Sequence, residues 1–239
     1  MSKGQRTRRE IVDRALAAAT NVGLENVTLG TLAAELDLSK SGLFAHFRSK
    51  EALQLAVLQE AIDRFTTTVV RPALAAPRGE PRLRALFEGW MGWIEHDPDA
   101  GGGTAGGRCI FMALSQEYDD RPGELRDAVV RSQQDWRTAI ARAAQLCVAE
   151  GHFRPDADVD QVAFEFVGIG MTYQQTRKLL ADPAAARRAH VAFEALLDRC
   201  RATPGARPPV SAGRRRPSDP PDTDRTSRRT SPARPPRPR

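Results

Sequence analysis

Between Leu38 and Leu53 the chain reads LSKSGLFAHFRSKEAL, with hydroxyls at Ser39 and Ser41, ammonium groups at Lys40 and Lys50, and an imidazole at His46. All of these groups can donate hydrogen bonds, and three of them can carry positive charge. Together they suit an anionic, polar partner rather than an apolar core. Gly42 adds nothing beyond its backbone and so permits close approach. Phe44 can offer only apolar contact. Phe47 reads as core, and Arg48 as a solvated cation.

The elements that must hold these groups are helices. RREIVDRALAAATNVG places Ile11, Ala15, Leu16 and Ala19 at helical spacing, with Gly23 as a C-terminal stop. Thr28 is placed to cap a second helix, whose apolar face is Leu29, Leu32, Ala33 and Leu36. Ser39 caps a short third helix ending near Phe47. Ser49 caps a longer fourth, which Pro72 is expected to stop. Helical patterns continue to residue 201, and no segment alternates as a strand does. The expected class is all-α.

The second and third helices, joined by the break at Asp37-Leu38-Ser39, have the proportions of a helix-turn-helix. Ala33 and Ala34 are small where the two helices would cross. Leu38, Leu43 and Phe47 would point inward, leaving Lys40, Ser41, Gly42, Phe44, Ala45 and His46 outward near the end that enters a major groove in such units.

Charge is unevenly placed along the 239 residues, which carry a net +6. Residues 1–50 hold eight Lys/Arg against five acidic residues, residues 51–201 hold 18 against 22, and residues 202–239 hold ten Arg against three Asp. The last segment is rich in Pro, Arg, Ser and Thr, has no aromatic residue, and is expected to be a disordered basic tail with polyproline character. No apolar run is long enough for a membrane span. The N-terminus leads into no secretory signal. Cys109, Cys147 and Cys200 are widely spaced and lack any CxxC, which fits a reducing cytoplasm and neither a disulfide framework nor a metal site.

Residues Arg8 to Ala61 resemble the DNA-binding domain of the TetR (AcrR-like) family of bacterial transcriptional regulators. The resemblance rests on Thr28 opening TLGTLAAEL, on the Ser-Lys-small-small-Leu-aromatic-X-His-Phe run at Ser39–Phe47, and on Lys50-Glu51-X-Leu53 starting the fourth helix. It implies an N-terminal DNA-binding domain over residues 1–50 with a linking helix to about 71. A ligand-binding and dimerisation domain over 78–201 would follow, and then the tail, 202–239. It also implies that Thr28, Ser39, Lys40, Ser41, Gly42, Phe44, His46 and Lys50 face double-stranded operator DNA, with Thr28, His46 and Lys50 on phosphates. Two positions depart from the pattern. Phe44 stands where Tyr is usual, and Asp37 stands where the turn usually has Gly.

The same resemblance implies a homodimer, formed by the last two helices, that spaces two recognition helices along an inverted repeat. Val162, Phe166, Ile169, Tyr173, Val191 and Leu197 are the candidate interface residues. It implies an effector pocket among the central helices, for which Trp90, Trp93, Phe111, Met112 and Trp136 are the candidate lining and an apolar or aromatic small molecule the expected occupant. The fourth helix would act as the lever between pocket and DNA, with repression and ligand-induced release as the expected mode. No cofactor is expected, and no enzyme activity. GGGTAG at Gly101, Gly103 and Gly106 matches a dinucleotide fingerprint but follows no strand, and the four histidines are scattered. The rival readings are a thiol-based redox sensor acting through Cys109, and a helical adaptor or enzyme.

Overall fold

Ser2, Thr28, Ser39 and Ser49 each place a side-chain oxygen on the backbone N–H three residues ahead, and so start α1 (Lys3–Val22), α2 (Leu29–Glu35), α3 (Lys40–His46) and α4 (Lys50–Phe65). The structure, a computed structural model, describes residues 2–95 and 109–202. The Gly101–Gly106 motif lies outside the described residues, as does the tail from residue 203. Gly23, at φ 85°, ends α1. Asp37 takes φ 53° in the turn after α2, while Leu38 N–H returns to the Ala33 carbonyl at 2.9 Å. An Asp tolerates this left-handed geometry better than most residues, so the turn forms without the usual Gly.

Pro72 does not stop the fourth helix. The helix widens into a π turn, Thr66–Val70, closed by the Arg71 N–H on the Thr66 carbonyl, and continues as α5 (Arg71–Ala75) with Pro72 in its first turn. The wider turn accommodates a residue that has no N–H for the helical ladder. Then come α6 (Glu80–Glu95), α7 (Ile110–Glu117), α8 (Glu124–Ala149), α9 (Val159–Lys178), capped by Asp158, and α10 (Ala185–Cys200). Among the described residues there is no strand, only an isolated antiparallel bridge between Phe153 and Arg201. No helix among them is long and apolar enough to cross a membrane.

Two apolar cores form. The first packs Ile11, Leu16, Leu32, Leu43, Phe47, Leu53 and Leu58 of α1–α4 against Ile110, Leu114, Tyr118, Leu125 and Val129 of α7 and α8. The head is therefore not closed by residues 1–50; its core borrows from helices sixty and more positions further on. The second is aromatic: Phe87 stacks on Phe193 at 3.9 Å, and Phe166 stands edge-on to both rings. Trp90 lies parallel to Phe166 and against Gly170, where an added Cβ would fall 2.2 Å from the indole. Small size at Gly170 is what lets α6 and α9 approach with a Trp between them.

Candidate nucleic-acid interface and effector cavity

The cap that starts α3 also arranges its outward face. Ser39 Oγ accepts from the Gly42 N–H at 3.0 Å and lies 3.2 Å from Ser41 Oγ. Leu43 and Phe47 are buried beneath. Lys40, Ser41 and Ala45 are exposed, Phe44 is 50% exposed, and His46 is half-buried. Thr28 Oγ1 accepts from the Thr31 N–H at 3.1 Å, and the Lys40 side chain passes over Gly30 beside it. The starts of α2 and α3 thus sit together. Gly4 lies beside the His46 ring, so the first turn of α1, with Lys3 and Arg6, adjoins the same face. The basic run at the N-terminus is visible in sequence; its place next to His46 is not.

Lys50 departs from the expected role. Its ammonium donates to the Glu25 carbonyl at 2.6 Å and to Glu25 Oε1 at 2.7 Å, which turns it into the head rather than toward a phosphate. Glu25 also accepts from Gln54 Nε2 and from the Tyr118 hydroxyl, at 3.2 and 3.0 Å. The Lys50 hydrogen bond, ahead of the others, holds the Glu25 carboxyl below its usual range. Burial, and then the bond to Glu25, pushes the Tyr118 phenol up. Nearby, Glu117 accepts from the backbone N–H groups of Leu24 and Glu25 at 3.1 and 2.7 Å. Gly23 at positive φ turns these successive N–H groups onto one carboxylate, as in an anion nest. The C-terminal end of α7 therefore grips the loop between α1 and α2.

The other face of α7 fronts a cavity of about 710 Å³ bounded by α4, the π turn, α6, α7, α8 and α9, within the range of small-molecule sites. Of the candidate lining residues, Trp90, Phe111, Met112 and Trp136 border this cavity. Trp93 does not. It is buried edge-on to Phe65, one helical turn beyond Trp90 and on the core side of α6. The unforeseen part of the lining comes from α4 and the π turn: Leu55, Leu58, Gln59, Ile62, Phe65 and Thr66. Phe65 is the hinge of the aromatic floor, edge-on to Phe111 at 5.4 Å and to Trp136 at 5.0 Å.

The expected dimer residues need correction. Val162, Phe166, Tyr173 and Leu197 are buried within the chain's own second core and have no surface to give a partner. Ile169 is partly buried against that core, and of the six only Val191 is well exposed, at 59%. The outward apolar face of α9 is instead Phe164 and Gly168, running to Met171 at the cavity's edge and continued by Leu179, with Phe164 63% exposed. Its spacing of four, three and eight residues is one helical stripe.

With this geometry in view, comparison with known proteins decides the family. A family model described as "Bacterial regulatory proteins, tetR family" matches residues 11–57. A second, described as "Tetracyclin repressor-like, C-terminal domain", matches residues 79–193. The chain belongs to the TetR family.

The regulator TcmR of Streptomyces glaucescens is 28% identical over 221 residues, covering 90% of this chain and 89% of TcmR. The activator FasR of Mycolicibacterium smegmatis is 34% identical over 100 residues, 40% of this chain, and this chain spans only 43% of FasR's length. A TetR-family transcriptional regulator from Cytophaga hutchinsonii shares the fold at a TM-score of 0.74 and 18% identity, over 85% of this chain and 98% of that one.

TetR-family proteins are transcriptional regulators, and the redox variant of that role finds no support at Cys109. That thiol lines the cavity but is buried, and desolvation pushes its pKa up, away from the reactive thiolate. Cys147, also buried, is pushed up to about 12. Among the described residues no group of three or more His, Cys, Asp and Glu could hold a metal ion.

Proposed function

We propose that this TetR-family chain is a homodimeric repressor that holds an inverted-repeat operator with α3 of each protomer and leaves it when a small apolar or aromatic molecule fills the cavity. The observation that carries this reading is that one pair of helices serves both sites. α4 presents Leu55, Ile62 and Phe65 to the cavity and Leu53, Val57 and Leu58 to the head core. α7 presents Phe111, Met112 and Ser115 to the cavity while Leu114 and Tyr118 sit in the head core. A molecule that favours one packing of the cavity wall must therefore bias the position of the recognition helix, and release is a shift of population between the two. Thr28, Ser39, Lys40, Ser41, Gly42, Phe44 and His46 are the proposed operator contacts. Lys50 is assigned a positioning role through Glu25.

Selection of bound fragments from genomic DNA, followed by titration over salt, tests the DNA half. The expected result is an enriched inverted repeat with a steep salt dependence. Lys40→Ala should reduce that slope by about one unit, the share of a single phosphate neutralised by an ammonium. His46→Ala should weaken the same site. Equal, weak binding to every fragment, untouched by either substitution, would sink the proposal.

The dimer has its own test. An isologous interface needs one self-complementary patch, and the Phe164–Gly168–Met171 stripe beside Val191 supports it. Phe164→Asp adds a charge at an exposed position, so the fold should survive while sedimentation reports a monomer. A variant that still sediments as a dimer would move the interface elsewhere.

A further inference from the structure

The hydrogen-bonding groups of the cavity's interior wall are neutral and of both kinds, and that narrows the choice of occupant. Ser115 gives its hydroxyl proton to the Met112 carbonyl at 2.9 Å, and Ser132 gives its own to the Val129 carbonyl at 2.7 Å. Gln133 Nε2 donates to the Phe111 carbonyl at 3.2 Å, and Gln59 Nε2 to Asp63 Oδ1 at 3.0 Å. All four side chains line the cavity. Helix-bound protons leave the hydroxyl lone pairs unused, and an amide that donates its N–H keeps its carbonyl oxygen. What the wall keeps for an occupant is therefore of both kinds: the Ser and Gln oxygens accept, while the second N–H of each Gln, the Thr66 hydroxyl and the Trp136 indole N–H, which is buried without a partner among the described residues, donate.

Charge points the same way. Only Glu124, Arg131 and Asp135 among the described lining residues are charged, a net of −1, and all three are exposed at the rim. The interior formed by those residues offers aromatic rings, two Met and aliphatic side chains but no cation. An anion would have to pass a net negative rim and shed its water against apolar walls, which costs several kcal/mol when no partner awaits it.

We infer that the effector is an uncharged molecule with a flat apolar body that carries hydroxyls able both to donate and to accept, such as a phenol or polyphenol, and that carboxylates and other anions are rejected. The inference rests on the reading of this cavity as the effector site and names its ligand class. Ser132 Oγ and Ser115 Oγ accept from the ligand hydroxyls, and Phe65, Phe111 and Trp136 hold its ring system.

Calorimetric titration of the full chain with naphthalenediol, its dimethyl ether and the matching naphthalene dicarboxylate separates the cases, because body and size are nearly constant while donors and charge vary. The expected order is diol, then diether, with no measurable binding of the dicarboxylate. Ser132→Ala deletes an oxygen that bonds only within its own helix, so the fold is unaffected. It should weaken the diol about five- to tenfold and leave the diether unchanged. Tighter binding of the dicarboxylate, equal loss of diol and diether in Ser132→Ala, or no binding of any probe would each overturn the inference. A diol that binds in the expected pattern yet leaves the operator complex intact would instead preserve the ligand class and defeat the effector reading.

Discussion

Replacing Glu117 by alanine is expected to weaken operator binding about tenfold or more while the helices of the second core are kept. The substitution removes one carboxylate that takes two backbone N–H bonds, from Leu24 and Glu25, at 3.1 and 2.7 Å. Hydrogen bonds to a charged group contribute about 1.5–3 kcal/mol each, and the freed N–H groups keep their desolvation cost where the site is part-buried. The loop they belong to joins α1 to α2, and α2 carries α3. Glu117→Gln keeps an acceptor oxygen but not the charge, so its affinity should fall between the two. Binding curves on the selected operator, beside melts followed by circular dichroism, provide the readout. If the melt drops and affinity does not, the clamp merely supports the head and does not set the recognition helix.

Gly170→Leu should have the largest effect on the second half of the molecule. Even a Cβ at this position would stand 2.2 Å from the Trp90 indole, which lies sandwiched against α9 and parallel to Phe166. Trp90 cannot retreat into a packed core, so the ring must move toward the cavity that it lines. Overpacking of this kind costs about 1–3 kcal/mol, and a Leu is at the upper end. At about 2–4 °C per kcal/mol for a chain of this size, a fall in Tm of several degrees is expected. The same variant should lose the naphthalenediol isotherm, because the displaced indole occupies its volume. A normal melt with unchanged binding would mean that α6 and α9 can separate freely, and that Gly170 is not a packing requirement.

The recognition unit was legible because its signals are local. Thr28, Ser39 and Ser49 cap helices that begin one residue later, and a cap is decided within four positions. Asp37 could be assigned to a left-handed turn on its chemistry alone. Lys50 could not be placed, since its partner Glu25 is twenty-five residues earlier and nothing along the chain links them.

The cavity and the dimer face failed in part for another reason. Trp90 and Trp93 lie on the same side of α6, and only the packing of Phe65 and Phe166 divides them between cavity and core. α9 is apolar on two stripes, Val162–Phe166–Tyr173 and Phe164–Gly168–Met171. Periodicity reports that both exist but not which one the chain covers with its own helices. A helix with two apolar stripes does imply a second partner beyond its own core, and that signal was available.

The π turn at Thr66–Val70 sets a phase. A helix carrying such a turn contains one more residue than a regular path between its ends, so everything before it is rotated against everything after it by about 100°, one residue's worth of helical turn. Upstream lies the half of α4 that packs against α1 in the head core, and downstream lies α5, seated on α6. The direction in which α3 faces, relative to the body that would pair the two protomers, is thus indexed by a single residue within the run Thr66-Thr67-Thr68. Loss or gain of one residue there would set the upper half of α4 at odds with the α7 and α8 residues that close the head core, and so turn the reading head away from the groove only at the cost of that packing.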